Sequence, residues 1–432
     1  MRSARAGAGA LALLRGGGLN TRMEHTLHRL FTRMMGTGQL AVEYPSGRRE
    51  TYGPGPERVA VRIADDDALK AIGNDPMLAV GEMYMEGRLI VEEGTIYDFL
   101  TLTKRNANTR VATKGAIARH LWRSLRAGVR RRAGLAAARA NIAHHYDLDE
   151  KLYRLFLDAD MNYSCAYFEY EGQSLEDAQR AKQRHIAGKL LSTPGASALD
   201  IGCGWGGMGL YLSRVAGLNT TGITLSKEQA RVARDRARSA GVEDRFDVQI
   251  TDYREVTQSF DHVVSIGMLE HVGLRQMDAY FAKVGQVLDK RGTAVIHSMG
   301  RTKPSAYSHP FGDKYIFPGG YVPALSEVLP AVEKAGLLIK DIEILPLHYA
   351  ETTRLWRERF LANREAVLAL ETFDERFVRM WEIYLAASEA SFRHDRIFVF
   401  HLILARHQDR VPIRRGWLED EKLRLKQAES VL

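Results

Sequence analysis

The stretch ALDIGCGWGG, residues 198–207, decides the fold class of this chain. Its apolar start predicts a buried strand, and residues from Met208 onward open a helix. Glycine is required in such a turn where a ligand approaches the backbone or where φ is positive. The spacing is G-x-G-x-G, not the G-x-G-x-x-G of dinucleotide-binding folds. The stretch therefore predicts a cofactor-binding turn, formed by Gly202, Gly204, Gly206 and Gly207.

Strand and helix signals alternate on both sides of this turn. Two helical stretches, 227–240 and 276–287, separate apolar runs of strand length. Alternating strands and helices predict a parallel sheet with right-handed crossovers. We therefore expect a Rossmann-like α/β domain over 145–410 with a mostly parallel sheet. Its predicted strands are 197–201, 220–225, 247–250, 260–266, 293–299 and 398–405.

The N-terminal part has a different pattern. Short β-like runs, LAVEY and VAVRI, are joined by a Ser46-Gly47 turn, and helical spacing follows around 67–72. This predicts a small α+β N-terminal domain over 23–102. Residues 1–22 carry four arginines and no acid, which predicts a disordered leader. We expect residues 411–432 to form a C-terminal tail.

Length and composition narrow the class of protein. With 432 residues the chain is expected to hold two domains, and 45% hydrophobic with 26% charged residues is typical of a globular protein. No run approaches the roughly 18 apolar residues of a membrane-spanning helix. Two cysteines exclude a disulfide framework and a four-cysteine zinc site. We therefore expect a cytoplasmic protein without a metal site.

Positive charge is concentrated in one segment. Residues 101–140 contain eleven lysines and arginines and no acid, more than the net charge of +8 of the whole chain. The segment predicts a basic helical linker over 103–144, which is either a solvated connection or a patch for anionic membrane surfaces. No base-reading motif accompanies it, so we expect no nucleic-acid partner. We expect peripheral association with the inner face of the membrane.

Longer motifs show a family resemblance. With Asp200, the glycine turn resembles the first motif of class I S-adenosylmethionine (SAM) methyltransferases. The motifs HHYDLDEKLYRLFLDADMNYSCAYF, LDIGCGWGG, GITLSKEQ, GMLEHVG, KYIFPGGYVP and RHDRIFVFHLILAR resemble those of the cyclopropane-fatty-acyl-phospholipid and mycolic acid cyclopropane synthase family. The additional N-terminal domain resembles the branch that acts on phospholipids. The resemblance implies methylene transfer from SAM to a cis double bond of a phospholipid acyl chain, and a homodimer.

The cofactor residues follow from the motif positions. The run GITLSKEQ has no acid for the ribose until Glu228, so neutral hydrogen bonds from the second strand end are expected instead. Asp252 and Tyr253 are expected to meet adenine, although Asp252 is nearly as well explained as a helix cap. Besides Asp200 and the four glycines, the expected SAM-binding residues are Tyr163, Ser164, Thr224, Leu225, Ser226, Gln229, Asp252 and Tyr253.

A second ligand is implied by the same resemblance. Family members hold bicarbonate as the base that removes a proton before the ring closes. Histidine and tyrosine side chains and main-chain N–H groups can donate to such an ion, and Glu270 can accept its proton. Taken singly, each residue is equally consistent with a structural role. The expected bicarbonate residues are Cys165, Glu270, His297, Met299 and Tyr349, of which all but Met299 are expected to be catalytic.

Aromatic side chains are candidates for stabilising a carbocation on the acyl chain. Most aromatics in such motifs simply pack. Ser388 stands where the family often has a cysteine, which favours a mechanism without a thiol nucleophile. The aromatic candidates are Tyr163, Tyr167, Phe168, Tyr315, Phe317 and Tyr321.

Two alternative functions stay open at this point. The first is a SAM-dependent methyltransferase that yields methyl-branched or hydroxylated acyl chains, or that methylates a small amine. The second is a non-catalytic lipid-binding protein with a vestigial cofactor fold. The intact glycine turn argues against the second alternative.

Overall fold

The computed structural model describes residues 21–107, 149–305 and 309–431. These residues form two compact units. The described part of the first unit comprises 21–107, 309–312 and 364–395, and that of the second comprises 149–305, 313–363 and 396–431. No helix within the described ranges is both long and apolar enough to cross a bilayer.

The first unit is a small α+β unit. Its four-stranded sheet has the order β2-β1-β3-β4, in which β1 pairs parallel with β3 and antiparallel with β2. The strands are β1 (Gln39–Glu43), β2 (Arg49–Tyr52), β3 (Arg58–Ile63) and β4 (Leu89–Glu93). The helices are α1 (21–34), α2 (Asp66–Asn74), α3 (Pro76–Met85) and α4 (Ile96–Ala107).

The first unit also contains a late segment of the chain. The helix Glu375–His394, here α14, packs against α3 and α4. The first unit thus includes 364–395, which lies inside the predicted catalytic domain of 145–410, and the bounds of that domain stay a prediction. The sequence next to this helix does not indicate that it belongs to the first unit, because its apolar face is buried against helices nearly 300 residues earlier in the chain. Nearly all of the predicted leader and most of the predicted linker lie outside the described residues.

The second unit contains a seven-stranded sheet of order β10-β11-β9-β8-β5-β6-β7. Strands β5 to β9 pair in parallel, whereas β11 pairs antiparallel with both β9 and β10. The six predicted strands are confirmed. The strands are β5 (Ser197–Ile201), β6 (Asn219–Thr224), β7 (Phe246–Ile250), β8 (Phe260–Ile266), β9 (Leu288–Arg301), β10 (Leu338–Leu345) and β11 (Ile397–Ala405).

Helices cover both faces of this sheet. One core cluster packs the helices at 277–287 and 325–334 against the sheet, and another packs those at 175–190, 207–214 and 417–429 against the opposite face. The helices of this unit are α5 (Glu150–Arg154), α6 (Leu175–Leu190), α7 (Gly207–Arg214), α8 (Lys227–Ser239), α9 (Leu269–Val272), α10 (Met277–Val287), α11 (Leu325–Lys334), α12 (His348–Ala362) and α15 (Trp417–Glu429). The short α13 (Arg364–Leu368) precedes α14 in the first unit.

Two elements of the second unit differ from the expectation. Strand β10 was not predicted, because its charged residues interrupt the apolar alternation of an edge strand. The predicted C-terminal tail holds helix α15, whose Leu425 is fully buried beside Ile186 and Leu190. Helix α15 therefore packs on this unit and contributes Leu425 to its core.

The strand order determines where a site forms. Strand β5 lies between β6 and β8, so the strands that follow it in sequence lie on both of its sides. A crevice forms at the carboxyl end of β5, where the strand order reverses. The glycine turn follows β5 at this edge, and Glu270 follows β8 at the same edge. His297 is level with Ile266, the last residue of β8. Residues far apart in sequence therefore meet at one end of the sheet.

Candidate active site

The glycine turn adopts the backbone conformation that its sequence requires. Gly202, Gly204 and Gly206 have φ of +80°, +54° and +85°, which L-residues rarely adopt. A Cβ on Gly206 would lie 2.9 Å from the Cβ of Ala233, whereas a Cβ on Gly204 would meet no atom within 4 Å among the described residues beyond its chain neighbours. Gly204 therefore borders open space at the N-terminus of α7, as a turn that receives a ligand must.

Asp200 is buried directly before this turn. Burial raises the pKa of its carboxyl to about 7, although nearby Lys182 opposes the shift. Its Oδ2 is buried and has no hydrogen-bond partner among the described residues. A buried polar atom without a partner is costly, so this oxygen fits a donor on a bound ligand. The turn and Asp200 together suit the amino-acid end and ribose of SAM.

The polar residues after β6 bond to one another. The Thr224 hydroxyl donates to Oε1 of Gln229 at 2.8 Å, and the N–H of Gln229 donates to Oγ of Ser226 at 3.3 Å. Ser226 is thereby the N-cap of α8. These contacts order the strand end next to Leu225, and a ligand contact from the same side chains stays a prediction.

Asp252 caps a short 3₁₀-helix, Tyr253–Glu255. Its Oδ1 accepts from the N–H of Arg254 at 3.0 Å, and its carboxylate also pairs with the guanidinium of Arg254. The Tyr253 ring is buried and makes an edge contact with Tyr280, with centroids 5.4 Å apart. The capping alternative for Asp252 is therefore present in the structure, and its contact with adenine stays a prediction.

Glu270 and Met299 are in direct contact. The main-chain N–H of Met299 donates to Oε1 of Glu270 at 2.6 Å. Oε2 of Glu270 is buried without a hydrogen-bond partner among the described residues, and burial raises the pKa of this carboxyl to about 7. The Met299 N–H, which was expected to bind an ion, thus holds the Glu270 carboxyl in place. A buried oxygen normally has a hydrogen-bond partner, so Oε2 of Glu270 is available to bind a ligand.

His297 lies on β9 beside a second histidine that the sequence reasoning missed. Its Nδ1 is 2.7 Å from Nε2 of His401, the residue directly opposite on β11. Both rings are buried, and burial holds both pKa values well below the usual range of histidine. Both imidazoles are therefore neutral. The sequence feature that could have indicated His401 is a histidine inside the apolar run FVFHLILA, residues 398–405.

Cys165 is buried beside a second missed residue, Lys182. Burial raises the pKa of the Cys165 thiol far above its usual range, so the sulfur is a protonated thiol and a poor nucleophile. The Lys182 Nζ donates to Oγ of Ser164 at 3.0 Å and to Oδ1 of Asn162 at 3.1 Å. Burial lowers the pKa of Lys182 to about 8. Lys182 thus anchors the motif that carries Ser164 and Cys165.

Tyr163 and Tyr349 contact the same buried tryptophan. The Tyr163 ring stacks on Trp356 with centroids 5.1 Å apart, and Tyr349 meets its edge at 5.8 Å. Nε1 of Trp356 is buried and has no hydrogen-bond partner in the described chain. The two predicted tyrosines therefore share one wall of aromatic side chains.

Comparison with known proteins identifies the family of this chain. Residues 134–402 match the family described as mycolic acid cyclopropane synthetase, and residues 26–114 match a domain of unknown function. The first match covers more than half of the chain. This chain belongs to the mycolic acid cyclopropane synthetase family.

Full-length relatives support this membership in the family. The cyclopropane-fatty-acyl-phospholipid synthase of Escherichia coli K12 is 33% identical over 80% of this chain and 87% of its own length. A probable fatty acid methyltransferase of Pseudomonas putida is 34% identical over 85% and 91%. The tuberculostearic acid methyltransferase UfaA1 of Mycobacterium tuberculosis is 35% identical over 88% and 90%. This member of the synthetase family is therefore a SAM-dependent enzyme of acyl-chain cyclopropanation or methylation.

Solved structures of the family agree with the fold. The cyclopropane synthase MmaA2 of M. tuberculosis is 30% identical, with a TM-score of 0.59 over 62% of this chain and 98% of that one. The mycolic acid cyclopropane synthase CmaA1, complexed with SAH and CTAB, is 31% identical, with a TM-score of 0.58 over 62% and 97%. The α/β fold expected for this synthetase is confirmed, and SAM is its methyl donor.

The remaining aromatic candidates of this synthetase have separate surroundings. Tyr167 is stacked between His185 and His348, with centroid distances of 4.1 and 5.0 Å. The Tyr321 hydroxyl donates to the Glu327 carboxylate at 2.7 Å, a contact that stabilises the start of α11. Tyr321 therefore has a structural role in the described chain. The further candidates are Phe168, which packs on His348, Phe317, which meets the edge of His271, and Tyr315, under Lys314.

Ser388 lies on α14 of the first unit. Its hydroxyl donates to the carbonyl of Tyr384 at 2.8 Å, a contact within one helix. This is an ordinary use of a helical serine. No nucleophile is needed there by the mechanism expected from the family resemblance.

The raised pKa of Glu270 gives a prediction for stability. Between pH 4.5 and about 7 an unfolded chain releases this proton while the folded chain retains it, so the folded state loses stability as the pH rises. Glu270→Gln removes this loss and keeps an acceptor for Met299. We expect the stability of the variant relative to wild type to increase by about 1–3 kcal/mol across this window. Urea unfolding at several pH values measures it; a difference independent of pH would contradict the buried carboxyl.

Proposed function

We propose that this protein transfers a methylene group from SAM to the cis double bond of unsaturated phospholipid acyl chains, with bicarbonate as the base. The observation that carries the proposal is the buried Glu270 carboxyl, which accepts from the Met299 N–H at the sheet edge that also bears His297 and the glycine turn. The full-length likeness to the E. coli cyclopropane-fatty-acyl-phospholipid synthase supports the choice of phospholipid.

The residues of this site fit a small oxyanion. When bound, bicarbonate supplies a base that takes a proton from the transferred methyl. Glu270 Oε2 has no hydrogen-bond partner within the described ranges and can accept the hydrogen of that ion, and the raised pKa of Glu270 lets it hold a proton near neutral pH. His297 and Tyr349 can donate to the ion's oxygens. Cys165 contributes a protonated thiol in a buried position, not a thiolate.

The remaining chemistry depends on exclusion of water. An isolated alkene is a weak nucleophile, and alignment with the sulfonium methyl supplies about 7–11 kcal/mol of the barrier reduction. Methyl addition leaves a carbocation on the acyl chain, which water would trap as an alcohol. The rings of Tyr163 and Tyr349 contact Trp356, and these three side chains are the candidates for stabilising this cation. An aromatic face is worth about 0.5–2 kcal/mol toward a nearby cation.

A second candidate product is a methyl-branched acyl chain. It is favoured by two relatives, the P. putida probable fatty acid methyltransferase and the M. tuberculosis tuberculostearic acid methyltransferase. Both outcomes begin with the same methyl transfer. In both, the carbocation then loses one proton: loss from the transferred methyl with formation of a carbon–carbon bond closes the ring, whereas loss that forms a new double bond leaves a branched, unsaturated chain. The Glu270 site is the feature that favours ring closure.

The lipids of a host that makes unsaturated phospholipids test the proposal. Expression of the full chain is expected to add one CH₂ to monounsaturated acyl chains and to remove their reactivity with ozone, because the double bond becomes a ring. The His297→Leu variant serves as the matched control. A mass gain with an ozone-reactive double bond retained identifies branching, and unchanged lipids contradict both reactions.

We also propose that the protein works as a homodimer at anionic membrane surfaces. The support is the family resemblance and the basic segment 101–140. Co-sedimentation with anionic vesicles is expected to exceed that with neutral vesicles and to weaken with salt, because salt screens surface charge. Equal binding to both vesicles would contradict the membrane proposal. Sedimentation at several concentrations measures the dimer.

A further inference from the structure

A continuous row of buried polar groups leads away from His297. Nδ1 of His297 is 2.7 Å from Nε2 of His401, and Nδ1 of His401 is 2.7 Å from Nζ of Lys189. Lys189 pairs with Oε2 of Glu343, which also accepts from Nε2 of His185 at 2.7 Å. His185, Lys189, His297 and His401 are each no more than 2% exposed.

The charge of Lys189 sets the direction of the hydrogen bonds. Burial lowers the pKa of Lys189, and the carboxylate of Glu343 acts in the opposite sense. Glu343 is itself ionised: burial opposes ionisation, but His185 and Lys189 hold its pKa at about 2. An ion pair with a carboxylate in direct contact keeps Lys189 an ammonium. An ammonium has hydrogens to donate and no lone pair to accept.

The directions then follow along the row. Lys189 donates to Nδ1 of His401, so this nitrogen carries no hydrogen. In a neutral imidazole the hydrogen is then on Nε2, and His401 donates it to Nδ1 of His297. Nδ1 of His297 is therefore an acceptor, and the hydrogen of the neutral His297 is on Nε2. For each contact in the row, any other placement of the hydrogens would set two N–H groups against each other.

We propose that Lys189 and His401 are positioning residues that hold His297 in the Nε2–H tautomer, with its Nε2 as a hydrogen-bond donor for the oxyanion. This inference rests on the proposed function for its purpose, but the tautomer itself is a property of the protein without ligand. His297 on β9 and His401 on β11 are directly opposite each other, and the hydrogen bond between their rings connects His297 to the ion pair of Lys189 on α6 and Glu343 on β10.

Three residues of this row, His185, Glu343 and His401, resemble a metal site, but the ammonium of Lys189 lies among them. The ligand atoms of His185, Glu343 and His401 all lie within 4.8 Å of one another. The Lys189 ammonium contacts two of the three ligands. It therefore provides the positive charge that this set of acceptors requires, and the row serves to orient hydrogens.

Nitrogen NMR of the imidazoles tests the proposal without any substrate. The full chain is labelled with ¹⁵N-histidine, and the resonances of His297 are assigned among the 14 histidines by comparison with His297→Gln. We expect the unprotonated nitrogen of His297 to be Nδ1 and the protonated one to be Nε2. A protonated Nδ1 in the wild type overturns the proposal, and this measurement requires no variant of the row.

Two variants of His401 separate orientation from packing. His401→Leu removes the donor, so the His297 signals should change to a mixture of tautomers and kcat should fall by about 10- to 100-fold, with SAM affinity retained. His401→Gln keeps an amide donor for His297 and an acceptor for Lys189, and should retain the Nε2–H signature. A leucine variant with an unchanged tautomer overturns the proposal.

The double variant Lys189→Met/Glu343→Gln covers the case in which His401→Leu does not fold. It removes both charges together, so no unpaired ion is left buried. We expect a mixture of tautomers at His401 and His297, and an unchanged signature contradicts the role of Lys189. A wild type with the expected tautomer but without ring formation in lipids would refute the proposed function alone.

Discussion

Replacing Glu270 by glutamine is expected to lower turnover by about 100- to 1,000-fold while leaving SAM affinity close to that of the wild type. The amide keeps an acceptor for the Met299 N–H, whose bond to Oε1 measures 2.6 Å, so the local fold persists. The second oxygen, which has no partner in the described chain, is replaced by a donor. An NH₂ group there cannot accept a proton. Turnover is measured with unsaturated phospholipid vesicles, and SAM affinity by calorimetry.

The control for this variant is Glu389→Gln. Glu389 is also buried, at 1% exposure, but it lies on α14 of the first unit, where it pairs with Arg393. We expect this change to cost stability and to leave turnover per folded molecule unchanged. Wild-type turnover in Glu270→Gln would refute the role of Glu270, and lost SAM affinity would assign Glu270 to the cofactor.

The second large effect is expected at the glycine turn. Gly204→Ala should weaken SAM binding by about tenfold or more, because the added Cβ enters space that the protein leaves open at the end of β5. Apart from its chain neighbours, no atom of the described residues lies within 4 Å of that Cβ, so the change creates no clash with this part of the ligand-free fold. The left-handed backbone adds a cost of about 1–2 kcal/mol in stability. Calorimetric titration with SAM measures the affinity.

Two further glycines give matched comparisons. Gly195 has φ of +86° and equally open surroundings but lies before β5, so Gly195→Ala should show the stability cost without the loss of affinity. Gly206→Ala places a Cβ 2.9 Å from that of Ala233 and should destabilise the fold more than either change. Unchanged SAM affinity in Gly204→Ala would place the cofactor elsewhere.

Local patterns were sufficient for much of the second unit. The predicted strands 197–201, 260–266 and 398–405 match β5, β8 and β11 to within one residue at each end. Buried parallel strands read as short apolar runs, and these runs stand out against the charged helices between them. The glycine turn was equally readable, because only glycine tolerates its positive φ at three positions.

Other features could not be predicted from nearby residues. The assignment of α14 to the first unit depends on which surface its apolar face covers, and the chain order carries no such information. In strand β10 the adjacent Lys340 and Asp341 interrupt the alternation of apolar and polar residues, and the sequence predicts that Glu343 faces solvent. In the structure this carboxylate instead pairs with the buried Lys189.

The family motifs were sufficient to select Glu270 and His297 as candidates, because short runs of sequence carry them. Only the folded sheet pairs His297 with His401, over 100 residues later, and only the packing of α6 on that sheet brings Lys189 to the same point. A hydrogen bond depends on the positions of two groups in space, whereas a motif records one group and its neighbours in the chain. The direction of each hydrogen in the buried row is therefore a property of the tertiary structure.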